Sequence, residues 1–164
     1  TYNMKKLYIL SILALLFSIT FKSYGQEDSP KLVEQTLKSE KYTIDITRIS
    51  PMAMPSKTTT SEYQLKFDNN TLTTRLPYIG KIDQMGMGNT GDLSINVENQ
   101  KIEIQTKYNE KKKRHELRFR AKDENSNTNC DFFIEIFNNG SCLIRLNMVG
   151  RNPISYNGEI SKIK

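Results

Sequence analysis

The chain has 164 residues, a formal net charge of +6, two cysteines and a single histidine. Three of the basic residues, Lys5, Lys6 and Lys22, lie within the first 25 positions, so residues 26–164 carry 21 basic and 18 acidic residues, a net charge of +3. This length supports one domain with its own core, and the near balance of charge argues against a nucleic-acid-binding protein.

The N-terminus has the three parts of a secretory signal peptide. Two lysines precede an apolar run that begins at Leu7, and the small residues Ser23 and Gly25 follow it. The apolar run of about 15 residues is shorter than the roughly 20 that cross a bilayer as a helix. We therefore expect cleavage after Gly25, with Gln26 as the new N-terminus, and a periplasmic or secreted protein with no membrane span after cleavage. The alternative is an uncleaved membrane anchor.

Residues 26–164 are predicted to form a single β-rich domain. Apolar residues at helical spacing predict a short amphipathic helix from Lys31 to about Glu40. From Tyr42 onward, apolar and polar residues alternate, which is typical of strands with one buried face. The predicted fold is mainly β, an antiparallel meander of about nine strands curled into a barrel or sandwich, with the helix plugging or capping it.

Turn residues and apolar register predict three hairpins in this meander. The predicted loops are residues 69–70, 99–100 and 139–141. The facing pairs expected across them are Phe67 with Leu72, Val97 with Ile102, and Ile136 with Ile144. A turn at Asn157 and Gly158 is expected to introduce a short final strand over about residues 158–164.

In an up-and-down meander, alternate connections lie at the same end of the sheet. The long connections at residues 50–60 and 77–91 and the basic loop around Lys111 are therefore predicted to share one end. Long irregular connections are often functional, so a site is expected there. Eight basic residues lie between positions 107 and 122. We interpret them as a solvated strand edge and loop, and the alternative is a patch for an anionic lipid head group, glycan or polyanion.

The chemistry-bearing residues are few. Cys130 and Cys142 are predicted to lie on two strands of one hairpin, too far apart for a disulfide, and to be free and buried. Two Met-x-Met pairs suit Cu(I), but filling gaps under loops is the favoured interpretation; they are Met52 with Met54 and Met85 with Met87. No nucleophile elbow, phosphate loop or zinc spacing is present. We therefore predict no catalytic residues, no metal site and no cofactor, and we expect that the protein is not an enzyme.

Three segments carry a resemblance to a known family. These are Leu76 to Gly80, Gly91 to Ile95, and Arg151 to Ile160. Together they resemble domain-of-unknown-function family 4251, exported proteins of Bacteroidota-type bacteria, over about residues 32–160, although Ile79 stands where the family pattern has an aromatic residue. The resemblance implies a β-rich fold that is sometimes described as lipocalin-like, and it implies no activity.

The family-like segments also supply the candidate site residues. Pro77 should end a strand, Gly80 should permit a turn, Tyr78 should bury its ring with a solvated hydroxyl, and Tyr156 should plug the sheet. Folding roles are the favoured interpretation, and with Arg151 these residues are also our candidates for ligand binding.

Two functions remain open from the sequence. The first is a non-catalytic binding module for a small apolar or amphipathic ligand. The alternative is a periplasmic structural or protein-interaction domain whose core is filled by its own side chains. The partner is accordingly a small ligand or a periplasmic protein. The large predicted core residues decide between the two; these are Tyr42, Tyr63, Phe67, Phe119, Phe132 and Met148.

Overall fold

The computed structural model describes residues 29–52, 54–59, 62–80 and 93–163. The predicted signal peptide, with Gly25 and Gln26, lies outside the described residues. Within them the chain forms one helix, α1 (Ser29–Lys38), and ten strands. The strands are β1 (Lys41–Pro51), β2 (Lys57–Thr58), β3 (Gln64–Asp68), β4 (Thr71–Leu76), β5 (Ile95–Lys101), β6 (Gln105–Asn109), β7 (Arg114–Asp123), β8 (Thr128–Phe137), β9 (Ser141–Met148) and β10 (Arg151–Lys162).

The predicted mainly-β fold is confirmed. The strands form one antiparallel sheet in the order β5-β4-β3-β1-β10-β9-β8-β7-β6, with the short β2 beside β1. The sheet curls into a half-barrel, and one short helix precedes it. The pairing of β1 with β10, from Tyr42 opposite Lys162 to Pro51 opposite Ile154, joins the first and last strands of the domain in the middle of the sheet. In the part of the chain that is described, no helix has the length and apolar character to cross a membrane.

Helix α1 begins and ends about two residues earlier than predicted. It buries Val33 and Thr36 and packs beside β1 and β10. The Ser39 hydroxyl donates to the Thr36 carbonyl at 2.7 Å, and Glu40 has a φ of 55°. A left-handed residue at this position ends a helix, so the chain turns directly into β1.

The hairpin predicted at residues 99–100 is wrong. β5 pairs with β4, β6 pairs with β7, and the chain of antiparallel pairings makes β5 and β6 run in the same direction. Asn99 does take a positive φ, 46°, but it forms a bulge against β4, where its N–H donates to the Thr73 hydroxyl at 3.2 Å. Residues 102–104 then carry the chain across to β7, and the Ile102 N–H donates to the Asn70 carbonyl at 2.8 Å.

This shared direction changes which loops lie together. The end of the sheet that carries α1, which we call the helix end, also carries the turns at residues 69–70, 110–113 and 138–140. The opposite end, which we call the rim end, carries residues 52, 54–56 and 62–63, residues 77–80 and 93–94, and the turns at 124–127 and 149–150. The described parts of the two long connections share the rim end, as predicted. The basic loop lies at the helix end, because a crossing between β5 and β6 replaces the expected hairpin.

The two remaining hairpins differ in how well their register was predicted. Asn69 and Asn70 have φ values of 47° and 62°, and Phe67 lies opposite Leu72, so the β3–β4 prediction is confirmed. In β8–β9, Ile136 lies opposite Cys142, a shift of two residues from the predicted pair. The loop is residues 138–140, with Gly140 at a φ of 87° in its last position, which is where a three-residue hairpin loop needs a left-handed residue.

Cys130 and Cys142 are both buried and free, as predicted. Cys142 lies opposite Ile136 and Cys130 opposite Met148. The two cysteines are thus separated by six positions along the ladder, about 20 Å at the rise of a strand. Burial raises the pKa of each thiol to about 12. Both side chains therefore stay in the unreactive thiol form at neutral pH.

A row of aromatic rings fills the middle of the curled sheet. Tyr42 stacks on Phe67 with ring centroids 4.7 Å apart. Phe67 and Phe119 are nearly perpendicular, with centroids 5.8 Å apart, and Phe119 stacks on Phe132 at 4.9 Å. The row crosses the interior from β1 to β8, so the pleat places the alternating apolar residues inside, as their period predicted.

The final strand is longer than predicted, and the turn expected at Asn157 and Gly158 is absent. β10 passes through both residues, pairing with β9 on one side and with β1 on the other. Gly158 lies beside the bulge between Ile46 and Arg48 in β1. A Cβ atom at Gly158 would collide with the Asp45 carbonyl oxygen. Glycine is therefore required for strand approach and not for a turn.

We predict that Gly158→Ala lowers the free energy of unfolding by about 1–3 kcal/mol, because backbone must move to admit the methyl group. Asn157→Ala, at the exposed neighbouring position, is the control, with an expected change within about 0.5 kcal/mol. Urea denaturation followed by circular dichroism measures both. Equal stability of the Gly158→Ala variant and the parent protein would show that the β1–β10 contact is looser than described.

Candidate functional site

The predicted site residues meet at the rim end. Pro77 ends β4 at Leu76 as predicted. Tyr156, fully buried on β10, donates its hydroxyl to the Pro77 carbonyl at 2.9 Å. The Tyr78 hydroxyl donates to the Asn152 carbonyl at 3.1 Å. The hydroxyl of Tyr78 is therefore engaged with protein, and the expectation of a solvated hydroxyl is wrong. The two tyrosines tie the segment after β4 to β10.

Arg151 and Asp123 complete this arrangement, which we call the rim cluster (Pro77, Tyr78, Gly80, Asp123, Arg151 and Tyr156). The Arg151 guanidinium carbon lies 5.1 Å from the centroid of the Tyr78 ring, and its Nη1 donates to the Leu93 carbonyl at 3.1 Å. Its Nη2 lies 3.8 Å from Asp123 Oδ2. A Cβ atom at Gly80 would come within 2.6 Å of the Tyr78 hydroxyl, so any other residue there would have to displace the Tyr78 ring.

Asp123 is a site residue that the sequence reasoning missed. Its carboxylate is fully buried at the end of β7. Oδ1 accepts the N–H of Asn96 on β5 at 2.9 Å, and Oδ2 accepts the hydroxyl of Ser126 at 2.5 Å. The Glu124 N–H also donates to the Asn96 carbonyl at 2.8 Å. These bonds join β7 to β5 and close the curled sheet at the rim end.

The structure thus brings the five predicted residues together, but it also provides partners for their polar groups. Among the described residues, no buried side-chain nitrogen or oxygen lacks a hydrogen-bond partner. Ligand binding by Pro77, Tyr78, Gly80, Arg151 and Tyr156 stays a prediction. The contacts seen here are those of a cluster that fixes the chain.

The helix end contains a cavity of about 460 Å³, which we call the helix-end cavity. It opens between β6 and the β3–β4 turn, beneath α1. Its apolar wall consists of Leu37, Tyr42, Phe67, Ile104 and Leu117. The stacked pair Tyr42 and Phe67 begins the aromatic row at this point, so these two rings form the floor of the cavity.

Charged groups surround the apolar wall. Glu34 and Lys38 of α1 form an ion pair at 2.7 Å, and both border the cavity together with His115 of β7. The His115 ring lies 4.7 Å from the Tyr108 ring. Burial lowers the pKa of His115, and the carboxylate of Glu34 opposes that shift. The cavity therefore combines an apolar interior with an ionisable border, a combination that suits an amphipathic molecule.

The sequence pointed to these residues only in part. Tyr42 and Phe67 were predicted as core, and His115 was noted as the single histidine. Their convergence depends on the crossing between β5 and β6, which the sequence reasoning replaced with a hairpin. Ile104 and Thr106 reach the cavity because the chain stops pairing with β4 after Lys101 and has crossed toward β7 before these two residues. The sequence did carry one sign of this crossing: the alternation of apolar residues ends at Ile104, and the three residues after it are polar.

The one methionine pair that the structure describes lies at the surface. Met52 and Met54 are 74% and 45% exposed, so neither fills a gap beneath its loop. Met85 and Met87 lie outside the described residues. Within the described ranges, no group of three histidine, cysteine, aspartate or glutamate side chains is arranged to hold a metal ion.

The curled antiparallel sheet with a short N-terminal helix defines a β-protein of half-barrel form. The sequence model of the family called "Domain of unknown function (DUF4251)" matches residues 25–160, and the chain belongs to this family. It is similar in fold to the crystal structure of a DUF4251 family protein from Bacteroides eggerthii DSM 20697, with a TM-score of 0.59, 12% identity, and coverage of 82% of this chain and 87% of that chain. No curated protein matches the sequence.

We predict that Tyr156→Phe lowers the free energy of unfolding by about 1 kcal/mol, because the half-buried Pro77 carbonyl loses its hydrogen-bond donor. Tyr108→Phe, at a half-exposed tyrosine, is the matched control and should change stability by less than about 0.5 kcal/mol. Chemical denaturation measures the difference. If both variants lose the same small amount, the rim cluster does not stabilise the fold.

The lowered pKa of His115 predicts a pH dependence of stability. The folded protein binds a proton at His115 less readily than the unfolded chain, whose histidine titrates near 6.5. Stability is therefore retained above about pH 6.5 and falls as the pH is lowered toward the folded-state value. Thermal melts between pH 7.5 and 5.0 should show a larger loss for the parent protein than for His115→Gln. Parallel losses would mean that other groups cause the change.

Proposed function

We propose that the protein is a non-catalytic binding module that holds a small amphipathic ligand in the helix-end cavity. The observation that carries the proposal is the volume of about 460 Å³ behind a wall of aliphatic and aromatic side chains. Pockets for small molecules usually exceed about 300 Å³ and combine apolar walls with a few polar groups. The apolar part of the ligand lies against Ile104 and Leu117, and its polar end lies beside Glu34, Lys38 and His115.

The chemistry of the border supports binding without catalysis. His115 lies against the Tyr108 ring, and its shift toward the neutral form comes from burial. Neighbouring Glu34 is engaged with Lys38. Among the described residues these groups form no hydrogen-bonded nucleophile and base of the kind that covalent catalysis uses. The histidine is therefore suited to hydrogen bonding with a bound polar group.

We further propose that the protein works in the periplasm or outside the cell. The support is the signal-peptide pattern before Gln26. The state of the cysteines agrees with this location, since buried thiols whose pKa is raised to about 12 react slowly with oxidants. A free, buried pair is compatible with an oxidising compartment, where exposed thiols would form disulfides.

A periplasmic interaction domain is the second candidate, and one observation favours it. The row from Tyr42 through Phe67 and Phe119 to Phe132 fills the centre of the sheet. In that case the helix-end cavity is a packing gap, and partners bind the outer surface. Native mass spectrometry of the protein from its own periplasm separates the two functions. A co-purifying small molecule supports the binding module, and a clean protein mass supports the interaction domain.

We predict that wild-type protein binds N-phenyl-1-naphthylamine at one saturable site and that Ile104→Trp weakens this binding at least about tenfold, equivalent to 1.4 kcal/mol. The added ring occupies the cavity. Val149→Trp adds the same ring to the exposed turn at the rim end and should leave affinity unchanged. Fluorescence titration measures all three proteins.

Circular dichroism melts confirm that each variant is folded before the titration. Equal binding by Ile104→Trp and Val149→Trp would contradict the proposal, because the probe would then occupy another surface. Absence of saturable binding to the wild-type protein would contradict it as well.

A further inference from the structure

The outer face of the sheet carries a second concavity, a groove of about 680 Å³ over β6 to β9. We call it the outer groove. It lies on the opposite side of the sheet from the helix-end cavity. One cross-strand row runs through it, with Gln105 opposite Arg118, Arg118 opposite Phe133, and Phe133 opposite Arg145. The next row brings Arg120, Asp131 and Asn147 side by side.

Phe133 is flanked by two guanidinium groups. The guanidinium carbon of Arg118 lies 4.9 Å from the centroid of the Phe133 ring, and that of Arg145 lies 5.4 Å from it. A guanidinium group held by contact with an aromatic ring still has N–H groups for a bidentate acceptor. The ring therefore orients both arginines without occupying their donors.

Two carboxylates of this face are paired with particular arginines, and a third, that of Glu103, also borders the groove. Glu135, whose side chain is 3% exposed, lies 2.6 Å from Arg114 Nη2 and 3.3 Å from Arg145 Nη2. Asp131 accepts from Arg120 Nε at 2.7 Å. Within the described ranges, Arg118 has no carboxylate oxygen within 4.0 Å, although its two strand neighbours at positions 116 and 120 have ion-pair partners.

We propose that the outer groove binds an oxyanion, the carboxylate or phosphate group of a small molecule, through Arg118. The side-chain amides of Gln105 and Asn147 border the same groove and supply further hydrogen-bonding groups. This site is separate from the helix-end cavity and does not depend on the function proposed for it. Of the three arginines between residues 107 and 122, Arg118 is the one without a carboxylate oxygen within 4.0 Å in the described part of the chain, since Arg114 and Arg120 both form ion pairs.

Side-chain NMR of the arginine Nε–H groups tests this proposal. Sodium phosphate and sodium acetate are titrated separately at constant ionic strength with chloride, because screening alone shifts exposed signals. We expect saturable shifts of the Arg118 signal with at least one anion. The anion that binds more tightly identifies the group, phosphate or carboxylate, that the site prefers.

Arg118→Gln should weaken this binding at least fivefold, as followed by the Gln105 and Asn147 amide signals. Arg120→Gln removes the same charge two positions along the same face and should weaken it less than twofold. Arg118→Lys keeps the charge without the planar fork and should give an intermediate loss. Equal weakening by Arg118→Gln and Arg120→Gln, or linear shifts with both anions, would overturn the proposal, and unchanged melting temperatures show that the variants are folded.

Discussion

The fold depends on one constraint. The chain forms a single sheet with one apolar face, and that face can be buried only if the sheet curls so that its two arms pack against each other. The pairing of β1 with β10 makes this possible, because it joins strands more than 100 residues apart in sequence. The two arms of the sheet then extend from this central pair and curl toward each other. Gly158 permits the close approach at the bulge of β1, and the row of aromatic rings fills the space that the curl encloses.

The two ends of the curled sheet close differently, and the candidate functions follow from that difference. At the rim end, the buried carboxylate of Asp123 accepts an N–H from β5, while Arg151 and Tyr156 hold the segment after β4. At the helix end, β6 pairs with β7 and leaves an opening toward the β3–β4 turn. The closed end is a structural cluster, and the open end leaves a path to the apolar interior, which is where we propose that a ligand binds.

Much of the fold could be predicted because the relevant physics is local. The alternation of apolar residues after Tyr42 identified the buried face, and Asn69 with Asn70 set the register of their hairpin. Local signals were ambiguous where two structures satisfy the same pattern. The β8–β9 pairing shifted by two residues because both registers keep the same faces inside. Asn99 adopts the positive φ that asparagine suggests, but in a bulge, because its strand pairs with β4 rather than folding back.

The candidate sites were less predictable because they depend on partners that are distant in sequence. The rim residues were singled out together, yet only the structure shows Asp123 joining them. The helix-end cavity arises from the crossing at residues 102–104, and the stack of Arg118 on Phe133 depends on the pairing of β7 with β8. A single error in strand partner moved the basic loop from one end of the sheet to the other.

The most direct measurement of the central claim is a set of intermolecular NOEs between N-phenyl-1-naphthylamine and protein labelled at its methyl groups. Access to the interior at the helix end predicts contacts with Leu37, Ile104 and Leu117, all of which border the cavity. Contacts confined to Leu76 and Ile95 at the rim end, or to Leu143 on the outer face, would contradict the account.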